Sequence, residues 1–115
     1  KLKKYLKVLK IEMEDLVEDL NTLKNLYNRR KNKGEITHYV FLENFGLLTE
    51  EISGINGLLS FLETVQTDKY TTLDEMIADI DRIFRERTKH YGFPEAVYVL
   101  IHRKMKKVTN YVSRE

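Results

Sequence analysis

The side chains of this sequence that are best suited to chemistry are its three histidines and its many carboxylates. His38 follows Glu35 by three positions, the spacing with which di-iron carboxylate bundles place two ligands on one helix face. Those sites need a second Glu-x-x-His pair and two further inward glutamates, and the sequence contains no second pair. We therefore interpret His38 as an exposed residue in the first turn of a helix, and we predict neither a metal site nor a cofactor.

A second candidate site consists of Arg85 and His90, at the end of a predicted helix. Their Arg-x4-His spacing resembles the motif of HEPN-domain ribonucleases, which are small all-α bundles that usually act as dimers. The resemblance implies a metal-independent ribonuclease in which His90 shuttles protons and Arg85 stabilises the charged phosphorane. The sequence departs from the family at Glu86, which stands where a small polar residue is common and would repel phosphate. The structural alternative is that Arg85 pairs with Asp81 or another surface acid and that His90 caps the helix C-terminus beside Gly92.

A cluster of basic residues in the last predicted helix forms a third candidate site. Its members are Arg103, Lys104, Lys106 and Lys107. One hypothesis is that they contact nucleic-acid phosphates without reading the base sequence. The alternative is that oppositely charged stretches pair within the bundle or its oligomer. The charges are indeed segregated, because residues 1–10 hold five Lys and no acid, whereas residues 11–20 hold five acids and no Lys or Arg.

Composition restricts the class of protein further. A chain of 115 residues with 42% apolar and 33% charged residues is typical of a single folded domain. It contains no Cys, which excludes disulfides and suits a reducing compartment, so we expect a cytoplasmic location. No apolar run reaches the length of about 18 residues that a membrane span needs, so we expect no membrane partner. Because the chain begins at Lys1 already in helical phase, we interpret the domain, residues 1–115, as a fragment of a longer chain.

Apolar residues that alternate at spacings of four and three predict two long helices. The first covers about 2–31 and the second about 38–65. Similar length and period predict that they form an antiparallel hairpin, with Gly34 ending the first helix and Thr37 capping the second. The two apolar seams consist of Leu2, Leu6, Leu9, Met13, Leu16, Leu20, Leu23 and Tyr27, and of Phe41, Phe45, Leu48, Ile52, Ile55, Leu59 and Leu62.

Two shorter helices follow. Thr72 and Glu75 form the pattern of a capping box at the start of a helix at about 73–90, and Pro94 opens a last helix at about 94–112. The predicted fold class is therefore all-α, an antiparallel helical bundle of two long and two shorter helices.

The lengths of these helices bear on function. The two long helices extend past what the two shorter ones can cover, which leaves part of their apolar seam without a partner. This surplus favours a non-enzymatic module that associates with a second copy of itself or with another helical protein. Gly54 and Gly57, in the middle of the second helix, indicate a close helix crossing, tolerated surface glycines, or a kink or hinge. The alternative function is nucleic-acid-directed, as a ribonuclease with Arg85 and His90 or as a non-specific binder with the basic last helix.

Overall fold

The computed structural model describes residues 1–114, and helices account for nearly all of them. The helices are α1 (Leu2–Asn32), α2 (His38–Leu62), α3 (Leu73–His90) and α4 (Glu95–Ser113), with a single 3-10 turn at Thr67–Lys69. Within residues 1–114 there is no strand, and the four helices pack against one another. The predicted all-α bundle is thus confirmed.

One predicted boundary is wrong, because α2 ends at Leu62 and not near residue 65. The backbone N–H groups of Thr64 and Val65 bond to carbonyls three residues back, at 2.9 and 3.3 Å, and the Thr64 hydroxyl donates to the Phe61 carbonyl at 2.7 Å. These bonds tighten the final turn and use carbonyls that a continuing helix would need. The chain then leaves the helix toward α3.

The local signals that begin and end the other helices act as predicted. Gly34 and Gly92 both have positive φ, 73° and 67°, which glycine adopts without the strain other residues meet. The Thr37 hydroxyl accepts a hydrogen bond from the Val40 N–H at 3.1 Å. At α3 the Thr72 hydroxyl accepts from the Glu75 N–H at 3.2 Å, while the Glu75 carboxylate accepts from the N–H of Thr71 at 3.0 Å.

The core lies in the half of the molecule where all four helices meet. Its buried side chains come from α1, α2, α3 and α4, and α4 packs between α1 and α3. The completely buried members include Tyr5, Leu9, Met13, Ile55, Met76, Ile80, Phe84, Val97, Ile101 and Val112. This half is the covered half of the bundle.

Gly54 marks the height at which the turn between α3 and α4 meets α2. A Cβ placed on Gly54 would lie 2.9 Å from Cγ2 of Val97 and 3.0 Å from Cγ of Phe93. Gly57, one turn further along α2, faces the tip of the same Phe93 ring at 3.3 Å. The close-crossing interpretation is therefore confirmed for Gly54, whereas Gly57 is exposed beside the Phe93 ring.

Beyond this height only α1 and α2 continue within residues 1–114. The molecule measures 55 × 30 × 18 Å, and a helix of the length of α1 spans about 46 Å against about 28 Å for α4. We call residues 21–52, with the connecting turn, the distal hairpin. Phe41 and Leu48 are buried there, between α1 and α2, but they do not belong to the core cluster of the covered half.

Candidate functional site

Arg85 and His90 do not form one site within a single chain. The Arg85 guanidinium lies 3.7 Å from the Asp81 carboxylate, as the structural alternative expects, and its side chain is half exposed. His90 is the last residue of α3 and packs edge-on against Tyr91, with ring centroids 5.0 Å apart. Residues five positions apart on a helix point roughly 140° away from each other. The ribonuclease hypothesis stays a prediction that depends on a second chain.

The Arg85 partner, Asp81, belongs to a polar cluster between α3 and α4 that sequence analysis missed. One oxygen of Asp81 lies 2.8 Å from the Tyr98 hydroxyl, which donates to it, and 3.0 Å from Nδ1 of His102. Burial and the hydrogen bond to Asp81 raise the pKa of Tyr98. Tyr98 and His102 are four positions apart, so both side chains leave α4 on one face. That spacing was the available signal, but nothing in it identifies Asp81 as the shared partner.

This cluster joins two helices. With the proton on Nδ1, His102 donates to Asp81, and both residues line an open groove between α3 and α4. Within residues 1–114 no group of three or more His, Asp or Glu side chains is arranged to hold a metal ion. The hydrogen bonds from Tyr98 and His102 make Asp81 a bridge that fixes the packing of α3 on α4.

The four basic residues of α4 lie in two different environments. Lys107 and Lys104 contact the Glu12 carboxylate of α1 at 2.8 and 3.6 Å. The hydrogen bond from Lys107 lowers the pKa of Glu12, despite its partial burial. Arg103 and Lys106 are exposed, and Lys106 lies at the rim of the groove between α3 and α4. The alternative that oppositely charged stretches pair within the bundle is confirmed for Glu12 of α1 with the two lysines of α4, and nucleic-acid binding stays a prediction.

The most extensive candidate surface lies on the distal hairpin. In α1 the residues Leu9, Leu16 and Leu23 follow one another at seven-residue intervals and share a face, but they are 0%, 7% and 38% exposed. In α2 the series Gly54, Leu47, Val40 behaves in the same way. Gly54 is buried under Phe93 and Val97, whereas Leu47 is 49% and Val40 37% exposed.

In the covered half both series lie on the side of α1 and α2 that faces α3 and α4. They continue along the distal hairpin with nothing over them in residues 1–114. We call this surface the distal face: it consists of Leu23, Val40 and Leu47, with Arg30 as the next member of the α1 series. Glu51, one turn from Leu47 on α2, lies at the edge of the distal face nearest the covered half and is itself buried.

The distal hairpin also separates charge between its two helices. Residues 20–34 of the α1 side carry five Lys or Arg and no acid, whereas residues 35–52 carry four Glu and no Lys or Arg. Lys24 and Lys31 lie over the rings of Phe45 and Phe41, 4.4 and 4.5 Å from the ring centres. Two of the cations therefore bind within the hairpin, and Arg29, Arg30 and Lys33 are exposed at its end.

Glu51 is the least exposed acid of this surface. Only 7% of the residue is exposed, and burial raises the pKa of its carboxyl group. None of the ion pairs found within residues 1–114 involves it. A buried carboxylate without a cation is unfavourable, so Glu51 would gain from a positive charge brought to the distal face.

Comparison of the chain with known protein families, with curated proteins and with solved structures finds no match. In residues 1–114 no helix is both long enough and apolar enough to cross a membrane. Functional conclusions for this chain therefore rest on its own residues.

Proposed function

We propose that the protein is a self-association module whose distal face packs against the same face of a second copy. The observation that carries this proposal is the course of the two seven-residue series, which are buried by α3 and α4 at one end and exposed at the other. Apolar residues at heptad positions favour burial, so the exposed positions of the distal hairpin should also pack against a partner.

The size of the apolar contribution is consistent with a dimer. Full burial of a Leu or Val side chain stabilises by roughly 1.5–3 kcal/mol, and the partial exposure of Leu23, Val40 and Leu47 reduces this gain for each. Symmetry doubles the set, because an isologous interface buries each residue twice. The sum is comparable with the cost of association, about 4–15 kcal/mol, so complementary charges and the neighbouring intermediate residues have to contribute.

Charge favours a second copy over an unrelated helix. One helix of the distal hairpin is basic and the other acidic. When the same surface meets itself around a two-fold axis, the α1 side of each copy can face the α2 side of the other. A hairpin of this kind is complementary to itself, which is the property that a homodimer needs.

A matched pair of variants tests the proposal. Leu47→Glu places a charge on the distal face, whereas Leu42→Glu makes the same change on the same helix at a similarly exposed position, 49% against 54%. Leu42 is five positions from Leu47 and points to the other side of α2. Sedimentation equilibrium at tens of micromolar should show a dimer for the unchanged protein and for Leu42→Glu, but a monomer for Leu47→Glu.

Two results contradict the proposal. The unchanged protein could sediment as a strict monomer, in which case any function of the distal face involves another protein. Alternatively, both variants could remain dimeric, which would place the contact elsewhere. Circular dichroism of each variant checks that the helices are intact before the comparison is made.

A further inference from the structure

Building on the proposed self-association, we infer that the two copies are antiparallel. The hairpin tips then point in opposite directions, and each tip lies beside the turn between α3 and α4 of the other copy. Two independent features of the chain lead to this orientation: the position of α3 and α4, and the location of the tip charges.

The first feature is steric. In the covered half, α3 and α4 form a second layer on the same side of α1 and α2 as the distal face. Packed helix layers are about 8–10 Å apart. If both tips pointed the same way, the second layers of the two copies would occupy the same space, and the distal faces would be held apart. In the antiparallel arrangement each distal hairpin enters the space that the shorter α3 and α4 of its partner leave open.

The second feature is the height of the charges along the hairpin. Lys24 Nζ lies 4.4 Å from the centre of the Phe45 ring, so these two residues lie within about one helical turn of the same height. Arg30 is six residues from Lys24 toward the tip, and Glu51 is six residues from Phe45 away from the tip. Each therefore lies about 9 Å from that height, in opposite directions. A two-fold axis at the height of Lys24 brings Arg30 of one copy to the Glu51 of the other.

The same charges disfavour the opposite orientation. Arg29, Arg30, Lys31 and Lys33 are concentrated at the tip, with Glu35 as the nearest acid in sequence. Tips placed side by side would bring two such groups together, which like-charge repulsion opposes. In the antiparallel dimer each basic tip lies instead at the height of the partner's Glu50 and Glu51. Glu51, buried and without an ion pair in one chain, then has a cation opposite it.

In the resulting assembly each protomer supplies the third and fourth helices that the other lacks. The two distal hairpins form a central four-helix bundle, and a covered half lies at each end of it. The partner that completes the distal face is therefore a second copy in one defined orientation.

A distance between labels tests the orientation. The chain has no Cys, so Lys3→Cys gives one label site per copy at the exposed start of α1. Lys3 is 21 residues from Lys24, so the two labels should be on the order of 60 Å apart in the antiparallel dimer. Tips pointing the same way would place them within roughly 30 Å. Pulsed electron spin resonance on the spin-labelled protein measures the separation directly.

A charge exchange provides a second readout. Arg30→Glu alone should weaken the dimer at least tenfold because it places two acids together, and combining it with Glu51→Arg should restore most of the affinity. Arg29→Glu is the control. It makes the same charge change one residue away, where the side chain points about 100° away from the distal face. Affinity that is lost in Arg30→Glu and recovered when Glu51→Arg is added supports the antiparallel register.

The possible failures are distinguishable. A monomeric unchanged protein overturns the proposed function and the orientation together. A dimer that Leu47→Glu disrupts, but whose Lys3 labels are within about 30 Å, overturns the antiparallel orientation and leaves self-association standing. A long label distance without rescue by Glu51→Arg overturns the register of Arg30 against Glu51.

Discussion

The two halves of this molecule use the same heptad pattern with different results. In the covered half the positions of Leu9 and Gly54 are buried, and Leu9 lies completely within the core formed by all four helices. In the distal hairpin the equivalent positions remain on the surface, and Leu23 and Leu47 are the clearest cases. The spacing of apolar residues is the same throughout α1 and α2, so the difference comes from the length of α3 and α4.

This difference shows what a heptad pattern specifies. It specifies that a helix face favours burial, but not whether the same chain or another chain provides the cover. In this chain α4 begins at Glu95, at the height of Gly54, and nothing in residues 1–114 covers the face beyond it. The uncovered part carries complementary charges, which is the reason to assign its cover to a second copy.

The largest difference between the halves is expected for apolar truncation. Phe84 is completely buried and packs against Phe61, with ring centroids 5.9 Å apart. Phe84→Ala should lower the free energy of unfolding by about 3–5 kcal/mol, since it leaves a cavity in the core. Leu42→Ala, on the outer side of the distal hairpin, should cost less than about 1 kcal/mol. Urea unfolding measures both, and equal losses would contradict the division into halves.

The effect of a Gly→Ala substitution on the free energy of unfolding should have opposite signs in the two halves. At Gly54 an added Cβ meets Val97 and Phe93, so Gly54→Ala should lower the free energy of unfolding by about 1–3 kcal/mol. Gly46 lies in the distal hairpin, where such a Cβ would meet no atom within 4 Å other than its own helix backbone and its chain neighbours. Gly46→Ala should therefore stabilise by about 0.5–1 kcal/mol through helix propensity alone. If Gly54→Ala also stabilises in the same urea experiment, α2 and α4 do not cross in close contact at Gly54.

Loss of the two N-caps should destabilise the molecule to different extents, one globally and one locally. Thr72→Ala removes the cap of α3, which belongs to the covered half, and should lower global stability by about 1 kcal/mol. Thr37→Ala removes the cap of α2 at the tip, where the first turn can open without unfolding the core. In Thr37→Ala, hydrogen exchange should be faster only in the first turns of α2. Faster exchange throughout α3 in the Thr37 variant would contradict this independence.

The smallest expected effect concerns pH in the covered half. Contact with Lys107 lowers the pKa of Glu12 in the folded state. The stabilisation is therefore present at neutral pH and is lost as the pH falls through the folded-state pKa of Glu12. Glu12→Gln should reduce stability at pH 7 and leave it nearly unchanged at pH 2, as acid titration of the helical signal would show. An equal loss at both pH values would mean that Glu12 acts through packing and not through charge.

The helices of this fold can be predicted from the sequence better than the contacts between them. Gly34, Gly92, Thr37 and Thr72 act through local backbone geometry and neighbouring N–H groups, so their effect is visible in the sequence. The apolar pattern predicts the end of α2 three residues too late, because Val65 continues the pattern while the backbone already turns.

The contacts that sequence reasoning missed join residues far apart in the chain. Asp81 bridges Tyr98 and His102, 17 and 21 residues away, and many other acids of this sequence have the same local surroundings. Selecting Asp81 requires the register of α3 against α4, which packing determines. The pairing of Glu12 with Lys107 was expected only as a contact between an acidic and a basic stretch, without the individual partners.

The proposed dimer and the ribonuclease hypothesis make opposite demands on His90. A HEPN-like site needs His90 of two chains to meet, whereas the antiparallel dimer places the end of each α3 beside the tip of its partner. RNA cleavage that is lost in His90→Ala would therefore count against the proposed assembly. If the antiparallel dimer is correct, purified protein does not cleave RNA, and His90→Ala remains dimeric in sedimentation.

Hydrogen exchange of the unchanged protein at two concentrations tests the contrast between the halves most directly. At concentrations high enough for the dimer, amides of residues 21–33 and 38–50 should be protected. On dilution below the dissociation constant their exchange should accelerate, while amides around Ile55, Phe84 and Ile101 keep their protection. Exchange in the distal hairpin that is slow and independent of concentration would contradict self-association through the distal face, because it would show that the hairpin needs no second copy.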